Sequence, residues 1–97
     1  MVKHIVLFKW NENATAQALT KIDAEICAMK GKIPGIIDLS YGENFLDTPD
    51  KFTHALVVDF TDKAALEAYA PHPIHKAIVD NLINPIKKEV LRIDYEF

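Results

Sequence analysis

The predicted strands of this chain are apolar on both of their faces, and this property restricts the folds that the chain can adopt. Val2–Lys9 and Phe52–Phe60 are dense in β-branched and aromatic side chains, which is typical of strands. Successive side chains of a strand point to opposite sides of a sheet. One side carries His4, Val6, Phe8, His54, Leu56, Val58 and Phe60, and the other carries Ile5, Leu7, Ala55 and Val57. Both sides of the sheet therefore need cover from water.

The rest of the chain supplies two helical regions and two further strands. The pattern predicts a helix at about Ala14–Lys32 capped by Asn13, a strand Ile36–Phe45 with a bulge or bend at Gly42, a split helical region whose second part is Ile74–Leu82, and a final strand Glu89–Phe97. The order β-α-β-β-α-β indicates a ferredoxin-like α+β fold, an antiparallel sheet with helices on one face. No linker or repeat divides residues 1–97, so we expect a single domain.

Two helical regions can cover only one face of a four-stranded sheet, so the second apolar face needs another partner. At about 25 cal/mol per Å² of apolar surface, several exposed aliphatic side chains cost a few kcal/mol. That cost is comparable to the stability of a domain of this size. We therefore predict a homodimer, in which the uncovered faces of two sheets close into an α+β barrel.

Composition excludes several classes of function. The 97 residues carry 11 basic and 14 acidic side chains, a net charge of −3 that gives no electrostatic reason to bind nucleic acid. Because no apolar run approaches the roughly 18 residues of a membrane helix and no leader pattern is visible, we expect neither a membrane span nor secretion. Cys27 cannot form an internal disulfide, which fits the cytoplasm, and we expect it to be a small buried side chain of the first helix.

Five segments spread along the chain carry a family resemblance. They are Lys3–Lys9 (KHIVLFK), Ile33–Gly35 (IPG), Phe52–Ala55 (FTHA), Tyr69–His75 (YAPHPIH) and Ile93–Tyr95 (IDY). On these segments the sequence resembles the stress-responsive A/B barrel (Dabb) family of small dimeric α+β barrel proteins. The resemblance implies a dimer whose sheets meet face to face, and it implies less about chemistry, because many members have no known activity.

One member class of that family is enzymatic. Olivetolic acid cyclase closes a linear polyketide by an intramolecular aldol condensation, and the resemblance places its catalytic tyrosine and histidine on Tyr69 and His75. It also places two pocket histidines on His4 and His54. An aldol cyclisation needs a base near neutral pH and a hydrogen-bond donor for the enolate, which histidine and tyrosine can provide without a cofactor.

The resemblance does not extend to the substrate. Aromatic side chains of the cyclase pocket fall on Ile22 and Ile26, and a tryptophan falls near Ile86. The identity of a ligand is therefore not transferable from the cyclase to this chain.

Simpler structural roles stay open for the same residues. His75 could instead bond a backbone carbonyl at a helix start, and Tyr69 could be a packing aromatic. His72, directly before Pro73, is more typical of a cap. A metal site at His72 and His75 is the weakest alternative, because no carboxylate or cysteine lies beside them at ligand spacing, and we predict no metal.

The sequence favours a cytoplasmic homodimer that holds a small apolar or aromatic molecule between sheet and helices. The predicted ligand-binding residues are His4, His54, Val6, Phe8 and Leu56, beside the candidate catalytic pair His75 and Tyr69. If the protein is an enzyme, we expect cofactor-free proton transfer on a carbonyl compound, an aldol-type cyclisation or an isomerisation. The alternative from another class is a stress-associated assembly protein without a ligand.

Overall fold

The strands form the sheet that the sequence predicts. A computed structural model describes all of residues 1–97, with strands β1 (Val2–Trp10), β2 (Ile36–Glu43), β3 (His54–Phe60) and β4 (Lys87–Glu96). They pair in the order β2-β3-β1-β4, and every neighbouring pair is antiparallel. The ferredoxin-like α+β architecture is confirmed.

The helices all lie on one face of this sheet. They are α1 (Ala16–Ala28), extended by a 3-10 turn at Met29–Gly31, α2 (Lys63–Tyr69), and α3 (Pro73–Ile78), extended by a π-helical turn at Val79–Ile83. None of them has both the length and the apolar character to span a membrane. The Asp62 side chain caps α2 by accepting the Ala65 amide, and Pro73 occupies the first turn of α3.

The register of the sheet separates its two faces. The helix-covered face holds the fourteen apolar core residues, of which Val2, Val6, Phe8, Leu56, Val58 and Phe60 come from β1 and β3. The opposite face, called the outer face below, carries Ile5, Leu7, Ala55, Val57, Leu91, Ile93 and Tyr95. On this face Leu91, Ile93 and Tyr95 are 45%, 47% and 47% exposed, so the sheet is apolar on a side that its own helices do not reach.

Gly35 explains the Ile33–Gly35 segment physically. Its φ is +90°, a conformation that glycine adopts without strain. A Cβ on Gly35 would lie 2.6 Å from the Cβ of Ala65, so only glycine allows α2 to approach this closely.

The start of α1 differs from the prediction. The cap is Thr15, whose hydroxyl accepts a hydrogen bond from the Ala18 amide at 3.1 Å, and the prediction of Asn13 was wrong. The Asn11 side chain instead accepts the Asn13 amide at 2.8 Å, forming a turn that delays the helix.

The position of the irregularity in β2, the start of the last strand and the end of the last helical region also differ from the prediction. The irregular pairing in β2 lies between Ile36 and Asp38, whereas Gly42 pairs regularly with Ala55, so the bulge predicted at Gly42 was wrong. The last strand begins at Lys87, two residues before the predicted Glu89. The last helical region becomes π-helical after Ile78, because the Asn84 amide bonds the Val79 carbonyl at 2.8 Å.

Cys27 is exposed, so the prediction that it is buried was wrong. The buried positions of α1 are Ile22 and Ile26, and Cys27 lies beside that stripe. Its thiol donates a hydrogen bond to the Asp23 carboxylate at 3.2 Å, and the partial desolvation of the thiol together with that carboxylate raises the pKa of Cys27. The cytoplasmic location stays a prediction.

The Thr15 cap can be tested by substitution. Thr15→Ala should lower the free energy of unfolding by about 1 kcal/mol, because the Ala18 amide loses its partner. Asn13→Ala is the matched control, since the Asn13 side chain caps nothing, and it should cost less than half as much. Urea denaturation of both variants measures the difference, and an equal loss from both would contradict this assignment.

Candidate functional site

A cavity of about 420 Å³ lies between the sheet and the helices. Its floor is formed by β1, β3 and β4, and its walls by α1, α2, α3 and the π-helical turn. The apolar lining consists of Val6, Phe8, Leu56, Val90, Ile26, Met29, Leu66, Ile78, Val79 and Ile83. The predicted ligand-binding residues Val6, Phe8 and Leu56 thus all line one cavity, of a volume that accommodates a small organic molecule.

The candidate catalytic pair lies together on this cavity. The Tyr69 and His75 rings are 4.0 Å apart between centroids, and both residues line the cavity wall. Tyr69 is the last residue of α2, and His75 is the third residue of α3. The Pro71–Pro73 break between the two helices turns the chain so that the two side chains meet.

The hydrogen bonding of His75 determines which of its nitrogens can act as a base. Nδ1 lies 3.0 Å from the Ala70 carbonyl oxygen, which can only accept, so Nδ1 carries the proton. Burial lowers the pKa of His75, and the charges of His4, Arg92 and His72 lower it further. The hydrogen bond to Ala70 raises the pKa, but its effect is smaller than that of burial. His75 is therefore a neutral imidazole at neutral pH with the Nε2 lone pair free.

Tyr69 is arranged as a donor. It is only 2% exposed, and its ring packs edge-on against Phe60 at 5.0 Å and His4 at 5.8 Å. None of the side-chain hydrogen bonds of the protein occupies its hydroxyl, which is therefore free for a molecule in the cavity. Burial raises the pKa of Tyr69, so the hydroxyl keeps its proton at neutral pH.

His4 is the one buried polar residue of the core, and it is satisfied. Its Nδ1 bonds the Asp94 carboxylate, which lies directly opposite on β4. A carboxylate can only accept, so Nδ1 of His4 carries the proton of this bond. The pair fixes the orientation of the His4 ring on the cavity wall, against the Tyr69 ring.

His54 does not line this cavity, so the structure separates it from the other predicted site residues. It shares the helix-covered face but lies near the opposite end of β1, where its Nδ1 accepts the Trp10 indole N–H at 2.9 Å. Its ring stacks on Tyr41 at 5.6 Å. Strand parity places His54 on the helix-covered face, as predicted. Its contacts with Trp10 and Tyr41 place it in an aromatic cluster outside the cavity.

His72 has the structural role that the sequence favours. Its Nδ1 accepts the Ile74 amide at 3.2 Å and so caps α3. No group of three or more His, Cys, Asp or Glu side chains is arranged to hold a metal ion.

Four charged residues of the cavity were not predicted from the sequence. They are Glu67, Lys87, Arg92 and Asp94. For two of them the sequence does hold a signal, because Arg92 and Asp94 alternate with apolar residues and so lie on the same side of the last strand. Pairing of Asp94 opposite His4 and of Arg92 opposite Val6 places that polar side toward the helices.

The isoleucines that replace aromatic residues of the cyclase pocket are buried. Ile22, Ile26 and Ile86 are 0%, 1% and 6% exposed, and of these only Ile26 lines the cavity. Aliphatic side chains fill this side of the core.

A family model describes nearly the whole chain. The model of the "Stress responsive A/B Barrel Domain" matches residues 2–97. A stress-response A/B barrel domain-containing protein of Arabidopsis thaliana is 26% identical over 96 residues, which are 98% of this chain and 36% of that protein. The chain thus spans about a third of the length of this curated relative.

Solved structures share the fold. A dimeric protein of unknown function with a ferredoxin-like fold from Bacteroides fragilis is 29% identical, with a TM-score of 0.84 over 99% of this chain and 95% of that one. A hydroxynitrile lyase from Passiflora edulis is 19% identical, with a TM-score of 0.85 over 97% of this chain and 90% of that one. Together with the family match, these likenesses make the chain a member of the stress-responsive A/B barrel family.

Proposed function

We propose that this protein binds a small apolar or aromatic carbonyl compound in the cavity and moves a proton on it. The observation that carries the proposal is the Tyr69–His75 pair, with ring centroids 4.0 Å apart on the wall of an apolar cavity of about 420 Å³. A base and a donor that face one cavity are the two groups that proton transfer next to a carbonyl needs.

The proposed step uses groups whose protonation the geometry supports. Nε2 of His75 takes a proton from the carbon next to the carbonyl, and the electron pair of that C–H bond moves to the carbonyl oxygen. The Tyr69 hydroxyl donates a hydrogen bond to the resulting enolate oxygen. The enolate then attacks a second carbonyl of the same molecule, whose oxygen takes the proton back from Nε2 of His75, which gives cyclisation. Alternatively, that proton returns to a different carbon of a conjugated enolate, which gives isomerisation. The step needs no cofactor.

His4 and Asp94 line the same cavity as the Tyr69–His75 pair. The Asp94 bond holds Nδ1 of His4, which leaves Nε2 of the ring for a polar group of a ligand. We assign His4 a binding role and not the base, because the His75 ring is the one in contact with Tyr69.

The fold itself is compatible with an enzyme. The similar structure from Passiflora edulis is a hydroxynitrile lyase, so one protein of this fold is a lyase. Many other structures of the fold, including the one from Bacteroides fragilis, have no known function. The alternative for this chain is therefore a stress-associated assembly protein without a ligand, which the exposed apolar outer face favours.

A homodimer through the outer face is part of the proposal and holds for either alternative. Leu91 and Ile93 of β4 lie opposite Leu7 and Ile5 of β1, so the outer face is continuous across the two strands. The dimeric structure from Bacteroides fragilis, at 29% identity, supports a second copy of this chain as the partner. Two apolar faces that meet remove each other from water.

The loop between β2 and β3 extends this surface. Phe45 is 97% exposed and Leu46 60% exposed, although the loop is held by several hydrogen bonds. The Asn44 side chain bonds the Phe52 carbonyl and the Leu46 amide, each at 2.9 Å. Because these hydrogen bonds hold the loop while the Phe45 ring is exposed to water, we expect Phe45 to contact the second copy.

Removal of the base tests the proposed chemistry. His75→Ala should lower the protein-catalysed deuterium exchange of 1-phenylpropan-2-one by about 100-fold, because it deletes the base. Tyr69→Phe should lower it by a similar factor, because the enolate loses its donor. Proton NMR in D₂O measures the exchange. His54→Gln is the control and should leave the rate unchanged, since His54 lies outside the cavity. Wild-type exchange no faster than in buffer, or equal to that of His75→Ala, would contradict the proposal.

The pH dependence of that exchange follows from His75. Burial lowers its pKa below the ordinary 6.5, so the buffer-corrected rate should be level near neutrality. The rate should fall only below pH 6.5, as Nε2 becomes protonated. Free imidazole under the same conditions serves as the reference. A protein profile with its midpoint at or above that of imidazole would contradict the assignment of His75 as the base.

The dimer can be tested on the outer face. Ile93→Lys should convert a dimer of twice the 11.0 kDa chain mass into a monomer, because a charge replaces an exposed apolar side chain of the outer face. Ala24→Lys adds the same charge on the exposed side of α1 and should leave the dimer intact. Size-exclusion chromatography with light scattering separates these results, and a monomeric wild type would contradict the proposal.

A further inference from the structure

Two cationic side chains of the cavity lack an acidic partner. Arg92 and Lys87 both line the cavity, and none of the ion pairs of the protein includes either of them. Five lysines, Lys3, Lys9, Lys30, Lys63 and Lys76, each lie within 3.4 Å of a carboxylate oxygen. Of the six cationic side chains outside these ion pairs, only Arg92 and Lys87 line the cavity. Arg92 and Lys87 are thus available to a ligand.

Both cations lie on the cavity side of β4. Arg92 is opposite Val6, and Lys87 is opposite Trp10 at the beginning of the strand. Arg92 lies near enough to His75 for its charge to lower the pKa of that ring. Because Arg92 and His75 line the same cavity, a group held by Arg92 would share that cavity with the candidate base.

The two carboxylates of the cavity do not neutralise these cations. Asp94 is engaged by His4. Glu67 lies toward the other end of β4, since it also lines a neighbouring depression with Asp94, Tyr95 and Lys63. The cavity therefore has an apolar interior, a Tyr69–His75 wall, and a basic edge along Lys87–Arg92 of β4, beyond which Asp94 is paired with His4.

We propose that the ligand of this cavity is an aromatic or apolar acid whose carboxylate is held by Arg92, with Lys87 as a second, weaker contact. This inference rests on the proposed function, because it concerns the same cavity. The planar guanidinium matches the two oxygens of a carboxylate, and the apolar lining receives the body of the molecule. The anion fixes the end of the ligand that faces β4 and so presents its carbonyl end to His75.

The experiment compares two probes of the same shape and different charge. Naphthalene-2-carboxylate and naphthalene-2-carboxamide are titrated into the wild-type protein and followed by NMR. The carboxylate should bind roughly threefold more tightly, the gain expected of a partly exposed charge pair. Arg92→Gln should reduce this ratio to about one by weakening only the carboxylate. Lys88→Gln is the control, since Lys88 is exposed on the same strand and does not line the cavity, and it should preserve the ratio.

The outcomes separate the two proposals. Equal affinities in the wild type, a ratio that survives Arg92→Gln, or an equal effect of Lys88→Gln would overturn the acid ligand and leave the cavity proposal intact. The cavity itself is tested by Ala70→Trp, which fills its lining, with Ala64→Trp on the exposed side of α2 as the control. Loss of both probes only in Ala70→Trp supports the cavity. Failure of the wild type to bind either probe overturns both proposals.

Discussion

The structure depends on a sheet that is apolar on both faces and is covered by its own helices on only one. Buried core residues from β1 and β3 alternate with outer-face residues, so neither strand has a side that suits water. The helices cover the inner face of the sheet and bury its apolar side chains. The outer side retains exposed aliphatic and aromatic groups, and the burial of apolar area is the dominant favourable term available to cover it.

The last strand shows this constraint most clearly, because its amphipathic pattern is inverted. Leu91, Ile93 and Tyr95 point away from the core of their own chain, while Arg92 and Asp94 point toward the helices. An isolated subunit would place its apolar side against the core. The inversion is explained if the outer face is the interior of an assembly.

The same inversion produces the cavity. Polar side chains on the inner side of β4 cannot pack into the apolar core as Val58 and Phe60 do, so the space between β4 and the last helices stays open. Asp94 is compensated by His4, and Arg92 is left for a ligand. One property of a single strand therefore provides both the proposed interface and the polar edge of the proposed site.

The sequence predicts most of the fold, because strand parity, helix periodicity and the proline positions are local signals. The family resemblance also implies that Tyr69 and His75 act as a pair, and they lie on either side of the Pro71–Pro73 break. The sequence could not separate His54 from His4, because both share a parity and only the register shows that Trp10 and Tyr41 surround His54. Asp94 was missed for the same reason, since its role depends on the residue opposite it. The Thr15 cap was missed because Asn11 forms a competing turn, which the sequence shows only in retrospect.

Small-angle X-ray scattering of the wild-type protein tests the central claim most directly, because it measures size without substitution or ligand. A single chain has a radius of gyration of 13.3 Å over its Cα atoms. Two chains joined through their outer faces should give about 16 Å, the value expected for a compact particle of twice the length. A value near that of the single chain at micromolar concentration, with the outer face in water, would contradict the account.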